Sequence, residues 1–228
     1  MLSRIYQRAY ISLLFPFYET HLRKRNTLKY FNMLQETQWL SEQDIKDFQW
    51  QALKRLLQHA YENVPYYQGI FQKLGITPAD IKKPADFCKL PIIDKQTIKQ
   101  NYKNMIARNY VGKTFTKTTG GTTGIPFQFE CTHESYEWRI ATIMRHYGWA
   151  GYQQGEKTAY LWSIPLGERS LFSKIKDNLY HKILRHKYLN VFDLTPQNLW
   201  KYYQKMKQYR PKHIISYALQ MYYFAKFI

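Results

Sequence analysis

A chain of 228 residues that is 45% apolar, with 21 Tyr, 13 Phe and 6 Trp, can bury a substantial core and is excluded from the disordered class. Two cysteines, Cys88 and Cys131, exclude a disulfide scaffold and a four-cysteine zinc site, and suit reduced thiols in a cytoplasmic protein. Thirty-four Lys and Arg against 16 Asp and Glu give a net charge of +18, which suggests a polyanionic partner, either nucleic acid or an anionic membrane surface.

The positive charge is densest in residues 161–228, where 12 basic and 3 acidic side chains give +9. No stretch is long enough to span a bilayer: Tyr10 to Tyr18 gives nine apolar-leaning residues against the ~20 required. Arg4 and Arg8 ahead of that stretch imitate the opening of a signal peptide. No small-x-small cleavage site follows, however, so a buried or surface-lying helix is expected.

In chain order, Ser41 and Asp44 form a capping pair ahead of a helical stripe running from Phe48 to Val64, which Pro65 ends. Tyr67 to Leu74 is a second helix stopped by Gly75, and Thr77, Pro78 and Asp80 are turn residues. Leu90 to Ile93 is extended, and Asp94 caps a helix running to about Tyr102. Thr114 to Thr118 and Phe127 to Glu130 are short strands.

Thr132 caps the next helix, which has Glu134 and Glu137 early and Arg145 and His146 late, as the helix dipole favours. Lys157 to Ser163 is a buried strand. Ser170 to His186 is an amphipathic helix whose apolar face, Leu171, Phe172, Ile175, Leu179 and Ile183, is expected to pack on a sheet. The competing expectation for its lysines is an interfacial membrane helix. Thr195 caps a helix to Tyr209, His213 to Tyr217 is a strand, and Leu219 to Ile228 opens a helix. The stop inside that apolar helix, without a polar fringe, is what a cut chain would show.

The segment with a sharp chemical reading is Thr118 to Pro126. Its three glycines permit close backbone approach, its successive N–H groups can form an anion-binding nest, and its four threonines add hydroxyl donors. A polyphosphate suits that donor set; an ordinary glycine-rich hairpin turn suits the same composition. Neither the P-loop nor the dinucleotide fingerprint is matched. His181 and His186 are five residues apart, so they lack metal-motif spacing and no metal site is expected. His59 is expected to pack at its helix end against Tyr66 or Tyr67, and no catalytic residue is assigned.

Thr119-Gly-Gly-Thr-Thr-Gly-Ile-Pro126 resembles the phosphate-binding motif of adenylate-forming enzymes. Leu56 to Phe71 and Leu90 to Lys95 resemble blocks of phenylacetate–coenzyme A ligase-like proteins. Tyr147 to Gly151, Asn190 to Pro196 and Tyr209 to Pro211 resemble the branch linked to bacterial capsular polysaccharide biosynthesis.

The resemblance implies an α/β fold: a partial N-terminal domain of the adenylate-forming, acyl-CoA ligase-like architecture over residues 41–228, preceded by a helical extension over 1–40. It implies ATP with Mg2+, a small carboxylate substrate and coenzyme A. Thr118, Thr119, Gly120, Gly121, Thr122, Thr123 and Gly124 would hold the ATP phosphates. Ile125 stands where many relatives have Lys. The adenine-contacting, ribose-binding and C-terminal lysine segments of the family have no counterpart, so a missing half supplied by another chain is a further expected partner. The alternatives are a non-catalytic remnant, or a basic protein at the inner face of the membrane that binds polyanions without a specific nucleic-acid partner.

Overall fold

The computed structural model describes residues 2–119, 126–162, 171–192 and 194–228. Helix α1 (Leu2–Ala9) continues through π-helical turns at Tyr10–Leu14 and Phe17–Leu22. Then come α2 (Thr27–Thr37), α3 (Glu42–Asn63), α4 (Pro65–Leu74) and α5 (Lys95–Gln100). Strands β1 (Thr114–Thr118) and β2 (Gln128–Thr132) precede α6 (His133–Trp149), β3 (Thr158–Trp162) and α7 (Leu171–Leu184). The described chain closes with β4 (His186–Asn190), α8 (Pro196–Tyr209), β5 (His213–Ser216) and α9 (Ala218–Phe227). Two compact units result: residues 26–142, here the hairpin unit, and residues 1–25 with 143–228, here the strand–helix unit.

In the hairpin unit the punctuation residues act as expected. The Ser41 hydroxyl accepts from the Asp44 N–H, which satisfies one orphan donor at the start of α3. Val64, pushed into the extended region by Pro65, separates α3 from α4. Gly75 ends α4 at φ +64°, a left-handed conformation that favours glycine. The two helices close on Leu57, Phe71 and Ile81, with Trp50, Leu53, Tyr61, Ile76 and Leu90 packed around them. Farther along, α2 meets α6: Tyr30 stacks on Trp138 at 4.2 Å, and the Asn26 N–H donates to Glu137.

In the strand–helix unit β3 is central to an all-parallel sheet of order β4-β3-β5. Strand alternation divides its side chains between two faces. Ala159, Leu161, Leu189 and Val191 meet Leu199, Met206 and Phe224 of α8 and α9 in the core. The other set is aromatic: Tyr160 stacks on Tyr188 at 4.6 Å, and Trp162 on Tyr217 at 4.0 Å. At the start of the sheet the Glu156 carboxylate accepts from Lys212, from the Gln153 N–H and, at 2.7 Å, faces His213 Nε2. Burial alone would raise its pKa, but these hydrogen bonds outweigh it and hold the carboxyl below the usual range.

Three expectations are corrected. The helix expected to reach His186 ends at Leu184; Arg185, at φ +57°, turns the chain into β4, a strand absent from the sequence reading. Of the apolar face expected to pack on the sheet, Ile175, Leu179 and Ile183 are instead 66, 58 and 43% exposed, and the side chains of Leu171 and Phe172 lie outside those described. His59 meets Tyr110 edge-on at 5.7 Å, while Tyr66 and Tyr67 pair with each other.

Leu161 is fully buried at the centre of the sheet. Leu161→Ala is expected to cost about 2–5 kcal/mol by chemical denaturation, because the cavity cannot be refilled between paired strands. His186 lies under Tyr152, Tyr160 and Tyr188, and burial, with His181 nearby, holds its pKa down to about 4. The unfolded imidazole takes a proton near pH 6.5, whereas the native one does not until about pH 4, so acid favours unfolding across that window. Stability should therefore fall between those values by up to about 1.4 kcal/mol per pH unit. Denaturation of His186→Asn across the same pH series should show a flatter profile.

Candidate functional site

The candidate site is built on the β1–β2 hairpin. Register pairs Thr114 with Thr132 through to Thr118 with Gln128, and this fixes where the ladder must open. One further pair closes it: the Thr119 N–H donates to the Phe127 carbonyl at 2.9 Å, and the Phe127 N–H donates to Thr119 Oγ1 at 3.1 Å. The side chain thereby does what an opposing backbone carbonyl would do in a longer ladder. Thr118 and Thr119 are both exposed at this neck. Gly120, Gly121, Thr122, Thr123 and Gly124 lie outside the described residues, as does Ile125.

The hairpin is held on both sides. On one, Lys117 lies over the rings of Phe115 and Tyr136 at 5.5 and 5.7 Å. On the other, the Tyr102 hydroxyl and the Thr116 hydroxyl both donate to Glu130 Oε1, the latter at 2.8 Å. The Tyr102 bond first, then the threonine hydroxyls, hold the Glu130 carboxyl below its ordinary range, and the same bond raises the Tyr102 phenol. A charged carboxylate thus fastens the segment after α5 to the middle of the hairpin.

That fastening sets α5 beside the neck. The Asp94 carboxylate accepts from the Thr97 N–H at 2.7 Å, a bond that lowers its pKa and starts the helix. Lys95 and Lys99, four residues apart, share one helix face. They line a pocket of about 680 Å³ with Gln96, Tyr102, Pro126, Phe127 and Gln128. Two cations therefore stand beside the stem of the glycine- and threonine-rich segment. The sequence reading did not single them out, although Lys95 ends the Leu90 to Lys95 block and the i, i+4 spacing to Lys99 was visible.

The blocks quoted for the resemblance are brought together within this unit. Leu56, Leu57, Tyr66, Tyr67, Ile70 and Phe71 line an apolar pocket of about 470 Å³ together with Leu90 to Ile93. The capsule-branch blocks fall in or border the strand–helix unit. Cys88 is exposed, with its thiol donating to the Ala85 carbonyl, and Cys131 is half-buried in β2. Among the described residues no three His, Cys, Asp or Glu side chains gather where they could hold a metal ion. Among the same residues no helix is long and apolar enough to cross a membrane.

No family model matches the chain. It is similar to the phenylacetate-coenzyme A ligase of Aromatoleum evansii, 37% identical over 89 residues that cover 38% of this chain and 20% of that protein. The Escherichia coli K12 enzyme of the same name is 40% identical over 62 residues, 27% of this chain and 14% of that protein. The Pseudomonas putida one is 29% identical over 114 residues, 50% of this chain and 26% of that protein.

Among solved structures, 2-hydroxyisobutyryl-CoA ligase with 2-HIB-AMP and CoA, in its open conformation, superposes with a TM-score of 0.52 at 18% identity. That match covers 77% of this chain and 38% of that one. The thioesterification-state structure of the same ligase gives 0.53 at 20% identity, covering 77% and 37%. The chain thus spans well under half the length of the proteins it matches. In sequence it is phenylacetate-CoA ligase-like, and its α/β fold is shared with adenylate-forming CoA ligases.

Proposed function

We propose that this chain contributes the nucleotide-phosphate site of an ATP-dependent acid–thiol ligase. Such a ligase activates a small carboxylate as an acyl-adenylate and passes the acyl group to coenzyme A. The observation that carries the reading is the closed hairpin neck at Thr119 and Phe127 with Lys95 and Lys99 beside it.

The donor set fits a polyphosphate. Backbone N–H groups of Gly120, Gly121 and Gly124 and hydroxyls of Thr118, Thr122 and Thr123 can hold phosphate oxygens. Thr119 keeps a hydroxyl proton to donate while its oxygen closes the neck. Lys95 and Lys99 supply charge that Ile125 cannot, and neutralising and positioning the phosphates is most of what a protein contributes to such chemistry. Mg2+ would enter with the nucleotide, held chiefly by phosphate oxygens and water.

The reading extends to bacterial cell-surface polysaccharide biosynthesis. Support for that extension is the resemblance of the Tyr147 to Gly151, Asn190 to Pro196 and Tyr209 to Pro211 blocks. Adenine recognition and thiol transfer are assigned outside these 228 residues, to a continuation of the chain or to a second polypeptide.

The test is calorimetric titration of the 228-residue protein with Mg·ATP and with pyrophosphate. Lys95→Ala and Lys99→Ala should each weaken binding about tenfold, as loss of a charge-assisted contact does. Gly121→Val should abolish binding, and Lys46→Ala should leave it unchanged. Absence of binding by the unaltered protein, or equal affinity in the Lys95 and Lys99 variants, would overturn the proposal.

A further inference from the structure

The strand–helix unit holds 19 basic and 5 acidic side chains, a net of +14 out of the chain's +18. Part of that charge is gathered in a concavity. A pocket of about 890 Å³ is lined by Lys157, Lys182, Arg185 and Lys187 with His181 and Tyr209, and Asp177 is the carboxylate among its lining residues. Lys157 donates to the Tyr209 carbonyl at 3.2 Å and lies over its ring. Arg185 donates to Ser3 Oγ at 3.1 Å and to the Gly155 carbonyl at 3.3 Å, over the ring of Tyr6. These neutral partners hold the two cations in place at the pocket.

Beside the pocket lies an apolar stripe that is exposed among the described residues. Ile175, Leu179 and Ile183 fall within about 80° around α7, and Asn178 and Lys182 on the adjoining flank line the pocket. The first helix touches α7 through the Tyr6 hydroxyl, which donates to the Ile183 carbonyl, and through Tyr18 against Tyr180. It turns its tyrosines inward, Tyr10 being buried against Gly155, and leaves hydrocarbon outward: Leu13 is 68% and Phe17 55% exposed, with Ile11 and Leu14 also exposed. Arg8, Arg23 and Lys24 are exposed on the same segment.

We propose that this face docks on an anionic lipid bilayer. The pocket would receive lipid phosphate groups, while the exposed side chains of α7 and the first helix enter the acyl boundary. A bilayer uses both features. A nucleic acid would meet the cations but gain nothing from Ile175, Leu179 and Leu13, and a second copy of a chain with net charge +18 would be repelled. The docking is independent of the ligase reading, because none of these residues belongs to the hairpin unit.

The test is flotation of the 228-residue protein with phosphatidylcholine vesicles with and without phosphatidylglycerol, with circular dichroism verifying the fold of each variant. Binding should require phosphatidylglycerol and weaken as salt rises. It should fall by at least about tenfold in Lys182→Glu/Lys187→Glu and also in Ile175→Asp/Leu179→Asp. A charge-matched control, Lys29→Glu/Lys73→Glu in the hairpin unit, should bind as the unaltered protein does.

Equal loss in that control, or full binding by Ile175→Asp/Leu179→Asp, would overturn the proposal by reducing the effect to net charge. No vesicle binding, with a dimer in sedimentation velocity that Ile175→Asp/Leu179→Asp dissociates, would overturn it and give the face to a second copy.

Discussion

A loop proposed to hold phosphate through its backbone depends on how its two ends are held. Here the decisive interaction is the reciprocal pair between Thr119 and Phe127. It adds one closed rung beyond the last ladder pair, uses a side-chain oxygen as acceptor, and so fixes the spacing at which the glycine-rich segment leaves and re-enters the hairpin. The Tyr102–Glu130–Thr116 contacts tie the same hairpin to the region of α5. Together they set the position of Lys95 and Lys99 relative to the neck. Rigid support beneath a conformationally permissive segment is a general requirement of anion sites built from backbone N–H groups.

Charge is divided unequally. The hairpin unit carries 15 basic and 11 acidic side chains, a net of +4, so its positive residues matter by position. The strand–helix unit has few acids, and the two that are buried among those described are consumed: Glu19 by Arg25, and Glu156 by Lys212, His213 and the Gln153 N–H. Its remaining cations therefore act collectively as a field. Under the two proposals the units would differ in the kind of anion affinity they offer: local and donor-rich in one, diffuse and bordered by hydrocarbon in the other.

Much of this architecture was legible in the sequence because it rests on local punctuation. Ser41, Pro65, Gly75, Asp94, Thr132 and Thr195 each act on the backbone within a few residues, and each starts or stops the expected element. Strand β4 escaped notice because its turn is made by Arg185 in a left-handed conformation that sequence assigns to glycine. The apolar stripe of α7 was legible as a stripe, but periodicity says only that a helix has two faces and not what covers one of them. Lys95 and Lys99 lie about 20 residues ahead of the glycine-rich segment, and only the packing of α5 near the hairpin neck brings them into the candidate site.

The most direct measurement is a backbone-amide NMR titration of the 228-residue protein with pyrophosphate. The account predicts that the largest shifts fall on Thr118 to Phe127 and on the amides around Lys95 and Lys99. Shifts confined to the surroundings of Lys157, Lys182 and Arg185, or absent throughout, would contradict it, because the glycine-rich hairpin would then be a turn and not a phosphate site.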